Sequence, residues 1–393
     1  EKKMSELDEA LKVKVLLAQA LFGNPDILLL DEPTNGLDVA TISWLEDFLA
    51  DYDKIVIVVS HDRHFLNQVC TQMCDVDFGK IKMYVGNYDF WLQSSRLAAQ
   101  MRADANAKKE EKIKELNDFI ARFSANASKS KQATSRKKQL EKITLDDIKP
   151  SSRKYPFVKF ESQRDLGNDL LRVENVSKTI DGVKILDNIN FTIRPGEKAA
   201  ILSRSDLAQT TMMQILAGTI KPDTGTVKYG QTVITSSLPR DLDANFNNEE
   251  LSILDWLRQY ATKEQNDNTF LRGFLGKMLF SGDDIQKQIK VLSGGEKVRC
   301  MLSKMMLEQG NTLLLDDPTN HLDLESITSL NDALVSFNGS VIFTSHDHEF
   351  ISTIADHLVE ISDNGSIDRA ETTYDEFLAH EIVQQQVAKL YEK

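Results

Sequence analysis

The groups best suited to chemistry in this chain are two sets of carboxylates, each with an imidazole. Each set has two acidic residues at the end of an apolar run and a Ser-His-Asp triplet after a second apolar run. The sets are Asp31, Glu32 and His61, and Asp316, Asp317 and His346. An apolar run that ends in acids is typical of a buried parallel strand, which delivers its last residues to the ligand-binding edge of an open α/β sheet. The pattern predicts two ligand sites.

The two sets belong to one repeated domain. A single offset relates Asp31 to Asp316 and His61 to His346, so the intervening residues align without a gap. This period is far longer than that of a solenoid repeat. The sequence therefore predicts duplication of a whole α/β domain.

Composition narrows the class of protein. At 393 residues the chain is long enough for two or three domains, and its net charge of −13 argues against general coating of nucleic acid. Three cysteines without a Cys-x-x-Cys pair indicate a reducing, cytoplasmic setting. The longest apolar runs have the length of strands, not of membrane spans, and the chain opens on a predicted amphipathic helix over 5–22 without a leader sequence.

Four segments are expected along the chain. Residues 1–91 hold the back half of an α/β domain, 92–154 a basic helical linker, 168–380 a complete α/β domain and 381–393 a helical tail. In the linker, a helix over 92–122 and another from 136 flank the polar connection 124–135. In the complete domain, a strand pair turns at Asp181-Gly182, and a strand over 199–202 precedes a helix over 210–217.

The linker is basic in an acidic chain. Between Arg96 and Lys154 there are 16 Lys and Arg against 8 Asp and Glu. A stiff basic hairpin is suited to phosphate contacts, which fix position without reading sequence, while a solvated linker is the plainer alternative. The expected RNA contacts are Lys129, Lys131, Arg136, Lys137 and Lys138.

These motifs resemble the ATP-binding cassette superfamily, through Leu292–Lys297 (Leu-Ser-Gly-Gly-Glu-Lys), the duplicated acidic strand and the Ser-His-Asp turns. Tandem cassettes, Pro318–Asp323 (Pro-Thr-Asn-His-Leu-Asp) and the basic linker are similar to its ABC-F subfamily, whose members are soluble ATPases that act on the ribosome. The resemblance implies P-loop NTPase-like α/β folds, ATP and Mg²⁺ as ligands, and cassettes that pair head to tail. It also implies no membrane partner, and a hairpin that reaches ribosomal RNA and the P-site transfer RNA.

The resemblance also assigns roles to single residues. Asp31 is expected to hold Mg²⁺ through a water, Glu32 to orient or deprotonate the attacking water, and His61 to contact the γ-phosphate. The nucleotide of this site is expected to meet the start of a helix in the other cassette, where backbone amides favour an anion. The residues expected there are Ser293, Gly294, Gly295 and Glu296.

The second cassette departs from the family pattern. Its phosphate loop should carry three glycines and a lysine, yet Ser203–Thr211 is Ser-Arg-Ser-Asp-Leu-Ala-Gln-Thr-Thr. Asp206 brings a negative charge to the place of a phosphate, and Asp317 replaces the catalytic glutamate. The signature that should face this pocket, at 5–9, has lost both glycines. The residues of this degenerate site are Gln209, Thr210, Asp316, Asp317 and His346.

Three hypotheses follow from these patterns. The first is an ABC-F-type ATPase with one competent composite site and one degenerate site, in a chain that lacks the front of its first cassette and is weak or inactive alone. The second is a truncated paralogue that binds RNA or the ribosome without turnover. The third is an ATPase subunit of a transporter or of a DNA-repair clamp. Two further histidines, His348 and His357, are expected at the surface.

Overall fold

The structure is a computed structural model that describes residues 4, 9–34, 37, 39–77, 79–123, 130–140, 154–246, 250–362, 364–370, 373–379, 385 and 389. The chain forms two compact units. One consists of residues 1–64 and 154–393, and the other of residues 65–153.

The first acidic strand lies in a short run of alternating helices and strands. The elements are α1 (Glu9–Leu21), β1 (Ile27–Asp31), α2 (Val39–Ala50), β2 (Ile55–Val59) and α3 (Arg63–Val69). β1 and β2 pair in parallel, from Ile27 with Ile55 to Asp31 with Val59. The two predicted apolar strands are thus confirmed, and of the predicted first helix the structure describes α1.

The unit of residues 65–153 holds a β-hairpin and two helices. The hairpin is antiparallel, and the elements are β3 (Gln72–Asp77), β4 (Lys80–Val85), α4 (Tyr88–Phe123) and α5 (Ser130–Leu140). α5 packs against α4. The prediction of a polar connection reaching residue 135 is wrong, because 130–135 contains neither glycine nor proline and continues as helix. Residues 124–129 of that connection, with Lys129, lie outside the described residues.

The second α/β region contains the remaining elements. In chain order they are β5 (Leu171–Ile180), β6 (Val183–Ile193), β7 (Lys198–Leu202), α6 (Asp206–Leu216), β8 (Thr224–Tyr229), β9 (Thr235–Leu238), α7 (Ile253–Arg258), α8 (Asn268–Lys277), α9 (Gly294–Glu308), β10 (Thr312–Asp316), α10 (Leu324–Ser336), β11 (Ser340–Thr344), α11 (His348–Ile354), β12 (His357–Ser362), β13 (Gly365–Ala370) and α12 (Tyr374–Ala379).

The central sheet of this region has the strand order β13-β12-β7-β11-β10-β9. All neighbours run parallel except the edge strand β13. Met212 and Met213 of α6 belong to the same buried cluster as Leu314 of β10 and Ile342 of β11. A separate antiparallel sheet has the order β6-β5-β8, and its first two strands meet at the predicted Asp181-Gly182 turn. The predicted α/β class is confirmed.

Two local predictions in this region are wrong. α6 begins at Asp206 instead of residue 210, because Ser205 caps the helix by accepting the N–H of Ala208 at 3.3 Å. His357 is 1 % exposed, not at the surface. Its Nδ1 lies 2.9 Å from Glu197 Oε2 and its Nε2 lies 2.6 Å from Asp368 Oδ1, so two carboxylates make burial of the imidazole favourable.

Within the described ranges, each helix is too short or too polar to cross a lipid bilayer.

Candidate functional site

Both acidic strands end in the same kind of turn. The residue after each strand has a left-handed backbone, with φ of 46° at Glu32 and 51° at Asp317. The amide of Glu32 donates to Val59 O at 2.8 Å, and that of Asp317 donates to Thr344 O at 3.2 Å. Left-handed backbone is uncommon for residues other than glycine. This turn bends the second acid out of line with its strand and towards the end of the neighbouring strand.

In the first cassette the turn brings Glu32 to His61. The His61 amide donates to Glu32 Oε2 at 3.2 Å, and His61 Nε2 lies 3.7 Å from Glu32 Oε1. Burial raises the pKa of Glu32, and the backbone hydrogen bond from His61 opposes that change. Glu32 Oε1 is buried without a hydrogen-bond partner among the described residues. A buried carboxylate oxygen with spare accepting capacity is suited to bind a water or a proton.

Glu32 and His61 line a cavity of about 1000 Å³ together with residues of the second cassette. Ser293, Gly294 and Gly295 line the same cavity. The same cavity is also lined by Arg240, Asp317 and His346, so residues of both acid–histidine sets and the start of α9 share one cavity. Asp31 and Glu296 are not among the residues that line this cavity.

The start of α9 is shaped by a capping box and by a close backbone approach. Ser293 Oγ accepts the amide of Glu296 at 3.3 Å, while Glu296 Oε2 accepts the amide of Ser293 at 2.8 Å. A β-carbon at Gly295 would lie 2.7 Å from the carbonyl oxygen of His321, and one at Gly294 would lie 2.9 Å from the His321 ring. Both glycines are therefore needed for the loop after β10 to pass this helix end.

In the second cassette the corresponding groups are engaged with one another. His346 Nε2 lies 3.2 Å from Asp206 Oδ1, an ion-pair distance at which the N–H is not aligned for a hydrogen bond. Arg240 Nη2 lies 2.8 Å from Asp206 Oδ2 and 3.7 Å from Asp317 Oδ2. These four side chains form what we call the Asp206 cluster: Asp206, Arg240, Asp317 and His346.

The remaining residues of the predicted degenerate site pack beneath this cluster. Asp316 is 4 % exposed and accepts the hydroxyl of Thr344 at 2.8 Å and that of Thr210. Burial raises the pKa of Asp316 against those hydrogen bonds. Gln209 is also buried, and its amide donates to the carbonyl oxygens of Ile201 at 3.4 Å and Ser203 at 3.5 Å. The Gln209 amide is thus bonded to the loop that precedes it.

Arg240 is the functional residue that the sequence analysis missed. β9 and β10 pair in parallel with Leu238 opposite Leu315, so Arg240 and Asp317 each lie two residues beyond a matched pair. A signal was present, because an arginine follows the end of a short strand in Leu238-Pro239-Arg240. Recognising it required knowing that this strand lies beside the acidic one.

The predicted RNA contacts belong to the unit of residues 65–153. Arg136, Lys137 and Lys138 are exposed on α5, and Lys131 also lies in that helix. The structure thus places a basic exposed helix where the sequence predicted a basic hairpin.

The arrangement of carboxylates bears on how Mg²⁺ and ATP would be held. Among the described residues, three or more His, Cys, Asp or Glu nowhere converge on a point that could hold a metal ion. This agrees with the chemistry of Mg²⁺, which is usually held by one or two carboxylates and by substrate phosphates. The unpartnered oxygen of Glu32 and the small Gly294 and Gly295 leave room and accepting capacity beside the cavity. Glu32, Gly294 and Gly295 are thus placed to meet the phosphates of a nucleotide, whereas Asp31, which is expected to hold Mg²⁺, does not line the cavity.

Comparisons with known proteins agree with this geometry. Two family models, both described as ABC transporter, match residues 74–160 and 186–320. The uncharacterised ABC transporter ATP-binding protein YkpA of Bacillus subtilis is 59 % identical over 390 residues, which cover 99 % of this chain and 72 % of that protein. The ABC transporter F family member 2 of Arabidopsis thaliana is 32 % identical over 361 residues, which cover 91 % of this chain and 53 % of that one.

A solved structure shows the same fold at low identity. It is the complex of archaeal ribosomal stalk protein aP1 and archaeal ribosome recycling factor aABCE1, with a TM-score of 0.63 at 16 % identity, covering 99 % of this chain and 68 % of that one. ATP-binding cassettes bind ATP, generally with Mg²⁺. With its repeated acidic strands, its signature loop and these relatives, the chain belongs to the ATP-binding cassette family, and its relatives there include the ABC-F group.

Proposed function

We propose that this chain is an ABC-F-type ATPase with one competent composite site, which acts on the ribosome and couples ATP binding and hydrolysis to translation. The observation that supports this is the asymmetry of the two acid–histidine sets. Glu32 and His61 face a shared cavity with Ser293, Gly294 and Gly295, and Glu32 keeps an unpartnered oxygen. The equivalent Asp317 and His346 line the same cavity, but their side chains are engaged with Arg240 and Asp206 in the Asp206 cluster.

The competent site is proposed to hold the nucleotide phosphates between the two cassettes. The amides of Gly294 and Gly295 lie at the start of a 15-residue helix, where an anion is favoured by unpaired N–H groups and by the helix dipole. Asp31, the last residue of β1, would hold Mg²⁺ through a water. When bound, the metal neutralises the charge that develops on the phosphates.

Glu32 is proposed to position the attacking water and to receive its proton. Its carboxylate is half-buried beside His61, and burial raises its pKa towards the range in which a carboxylate is a better proton acceptor. His61 is proposed to keep the Glu32 side chain in place through its backbone amide and to contact the terminal phosphate with its ring.

The basic hairpin is proposed to be the part that meets RNA. α4 and α5 form a helix pair in which Arg136, Lys137 and Lys138 are exposed. Their charges are suited to phosphate contacts on ribosomal and transfer RNA. The archaeal protein of similar fold is a ribosome recycling factor, which favours a ribosomal partner here.

The proposal is tested by trapping and by stoichiometry. Glu32→Gln keeps the size of the side chain and removes the base, so we expect the variant to stay on ribosomes in ATP while the parent is released. Co-sedimentation with ribosomes, with ATP and with ADP, measures this. In a full-length protein with a complete first cassette, equilibrium binding should give one tightly bound ATP per molecule. Release of Glu32→Gln as fast as the parent, or two tight ATP sites, contradicts the proposal.

The exposed basic helix also favours a second candidate, an RNA-binding module without turnover. In that case the chain binds ribosomes in a salt-sensitive way that ignores ATP. Exchange of Arg136, Lys137 and Lys138 for glutamine weakens ribosome binding under both candidates, so only the ATP dependence separates them.

A further inference from the structure

In the second cassette, Arg240 and His346 contact the same acidic side chain, that of Asp206. Arg240 Nη2 lies 2.8 Å from Asp206 Oδ2, and His346 Nε2 lies 3.2 Å from Asp206 Oδ1. That carboxylate belongs to the first residue of α6, in the segment that aligns with a phosphate loop. Two cations and a helix start that converge on one point are the usual means of holding a phosphate.

We propose that Asp206 is an internal ligand that takes the place of a nucleotide phosphate in the second cassette. Its carboxylate satisfies Arg240 and His346, and it thereby keeps anions out while leaving the cassette in the arrangement that a bound phosphate would stabilise. The inference rests on the proposed function in one respect, since it takes Ser203–Thr211 to be a degenerate phosphate loop.

The charges of the cluster support this assignment. Arg240 and His346 are balanced by Asp206 and Asp317, with the buried Asp316 alongside. A phosphate added to this set would meet uncompensated negative charge, which costs free energy in a partly buried site. Contact with His346 first, and then the charge of Arg240, holds the pKa of Asp206 well below its usual range, so the carboxylate is ionised at neutral pH.

The side chain in the place of the family's lysine is already engaged with the backbone of the loop. Gln209 occupies the place of the family's lysine, and its amide is bonded to the carbonyl oxygens of Ile201 and Ser203. It carries no charge that could attract an anion. The cations Arg240 and His346 are the groups of the cluster that attract an anion, and the Asp206 carboxylate contacts both.

The experiment removes the internal ligand and offers an external one. Inorganic phosphate is titrated into the full chain and into Asp206→Ala and Asp206→Asn, with binding measured by calorimetry and by the shift in Tm. We expect both variants to bind phosphate at least about tenfold more tightly than the parent, because the loss of one charged contact frees two cations.

Asp223→Ala is the matched control. Asp223 has the same side-chain exposure as Asp206, 44 %, and pairs with Lys178 at the same distance of 2.8 Å, away from the cluster. Its removal should leave phosphate affinity at the parent value. Adding Arg240→Gln to Asp206→Ala should abolish the gain.

Three results overturn the inference: equal phosphate affinity in the parent and both Asp206 variants, an equal gain in Asp223→Ala, or a gain that survives Arg240→Gln. The asparagine variant keeps the shape of the side chain, so the test holds if the alanine variant fails to fold. The titration uses neither ribosomes nor turnover. The phosphate affinities that it measures therefore do not depend on whether the Glu32→Gln variant stays on ribosomes.

Discussion

The two acidic strands of this chain have nearly the same sequence and very different surroundings. In β1, exposed and buried residues alternate, and in β2, exposed and half-buried residues alternate. Leu29 of β1 is 68 % exposed. All ten residues of β10 and β11 are buried. In the second cassette β7 pairs with β11, and α6 covers Leu314 and Ile342. Burial of an apolar strand is thus set by the elements beside it, not by its own sequence.

The same contrast applies to the acids that the strands present. Both Glu32 and Asp317 line the cavity, but Glu32 Oε1 accepts no hydrogen bond among the described residues, whereas Asp317 is 9 % exposed and lies 3.7 Å from Arg240. Both have the left-handed turn and a histidine from the neighbouring strand. Equivalent backbone therefore carries a carboxylate with a free accepting position in one cassette and a carboxylate within an ion cluster in the other.

The sharpest test of this contrast is hydrolysis by matched acid variants. In a full-length protein with a complete first cassette, Glu32→Gln should lower the ATP turnover number by about 10²- to 10⁴-fold, the usual contribution of a positioned base. Asp317→Asn should lower it by less than about threefold, since a non-catalytic acid enters only through packing. Steady-state phosphate release measures both. Equal losses in the two variants would mean that both cassettes carry out chemistry.

Core truncation tests the difference in burial. Leu314→Ala should lower the free energy of unfolding by about 2–5 kcal/mol, because Leu314 is 1 % exposed and its removal leaves a cavity. Leu29→Ala, at the equivalent position, should change it by less than about 0.5 kcal/mol. Denaturant unfolding followed by circular dichroism measures the pair. A large loss for Leu29→Ala would show that this face is covered in solution.

The close approach at the start of α9 gives a smaller effect. Gly295→Ala should cost about 1–3 kcal/mol, because its β-carbon would lie 2.7 Å from the backbone of His321. Gly273→Ala in α8 is the control, since no atom lies within 4 Å of its added β-carbon. That control should stabilise the chain by up to about 1 kcal/mol through helix propensity. Equal effects of the two variants would contradict the packing seen at His321.

The buried His357 predicts a pH dependence. Burial lowers its pKa, but contacts with Asp368 and Glu197 outweigh burial and raise it above 6.5. The folded chain therefore holds this proton more tightly than the unfolded chain does. The resulting stability is fully present below pH 6.5 and is lost as the pH rises through the raised pKa.

His357→Gln should therefore cost about 1 kcal/mol below pH 6.5, and its deficit should shrink as the pH rises. The control His348→Gln removes a half-buried histidine that stacks on His64, away from Glu197 and Asp368. Unfolding midpoints of both variants and the parent between pH 5 and about 9 give the result. A deficit that grows with pH would contradict the assignment.

The sequence was sufficient for the features that repeat or that carry a periodic pattern. The duplicated strands and the turn at Asp181-Gly182 were predicted, because each follows from local pattern or from the repeated frame. That Glu32 and Ser293 share a site was implied by the family resemblance, and the two residues line one cavity. The early start of α6 could not be read from apolar spacing, since a serine cap moves a helix end without altering the pattern.

The features that were missed depend on contacts between distant segments. Arg240 meets Asp206 and Asp317 because β9 happens to be the parallel neighbour of β10. His357 can be buried because its ring contacts the carboxylates of Glu197, directly before β7, and of Asp368 in β13. Neither set of contacts can be predicted from a short window of sequence.

The 36-residue helix α4 also has a geometric consequence. At 1.5 Å of rise per residue it is a rod of about 54 Å. Its first turn is fixed to the β-hairpin of its own unit, where Trp91 is buried and its indole N–H donates to Asp75 at 3.3 Å. A tilt of about 5° at Tyr88 therefore displaces the backbone at Phe123 by about 5 Å. The rod is a lever that enlarges small rotations of its base.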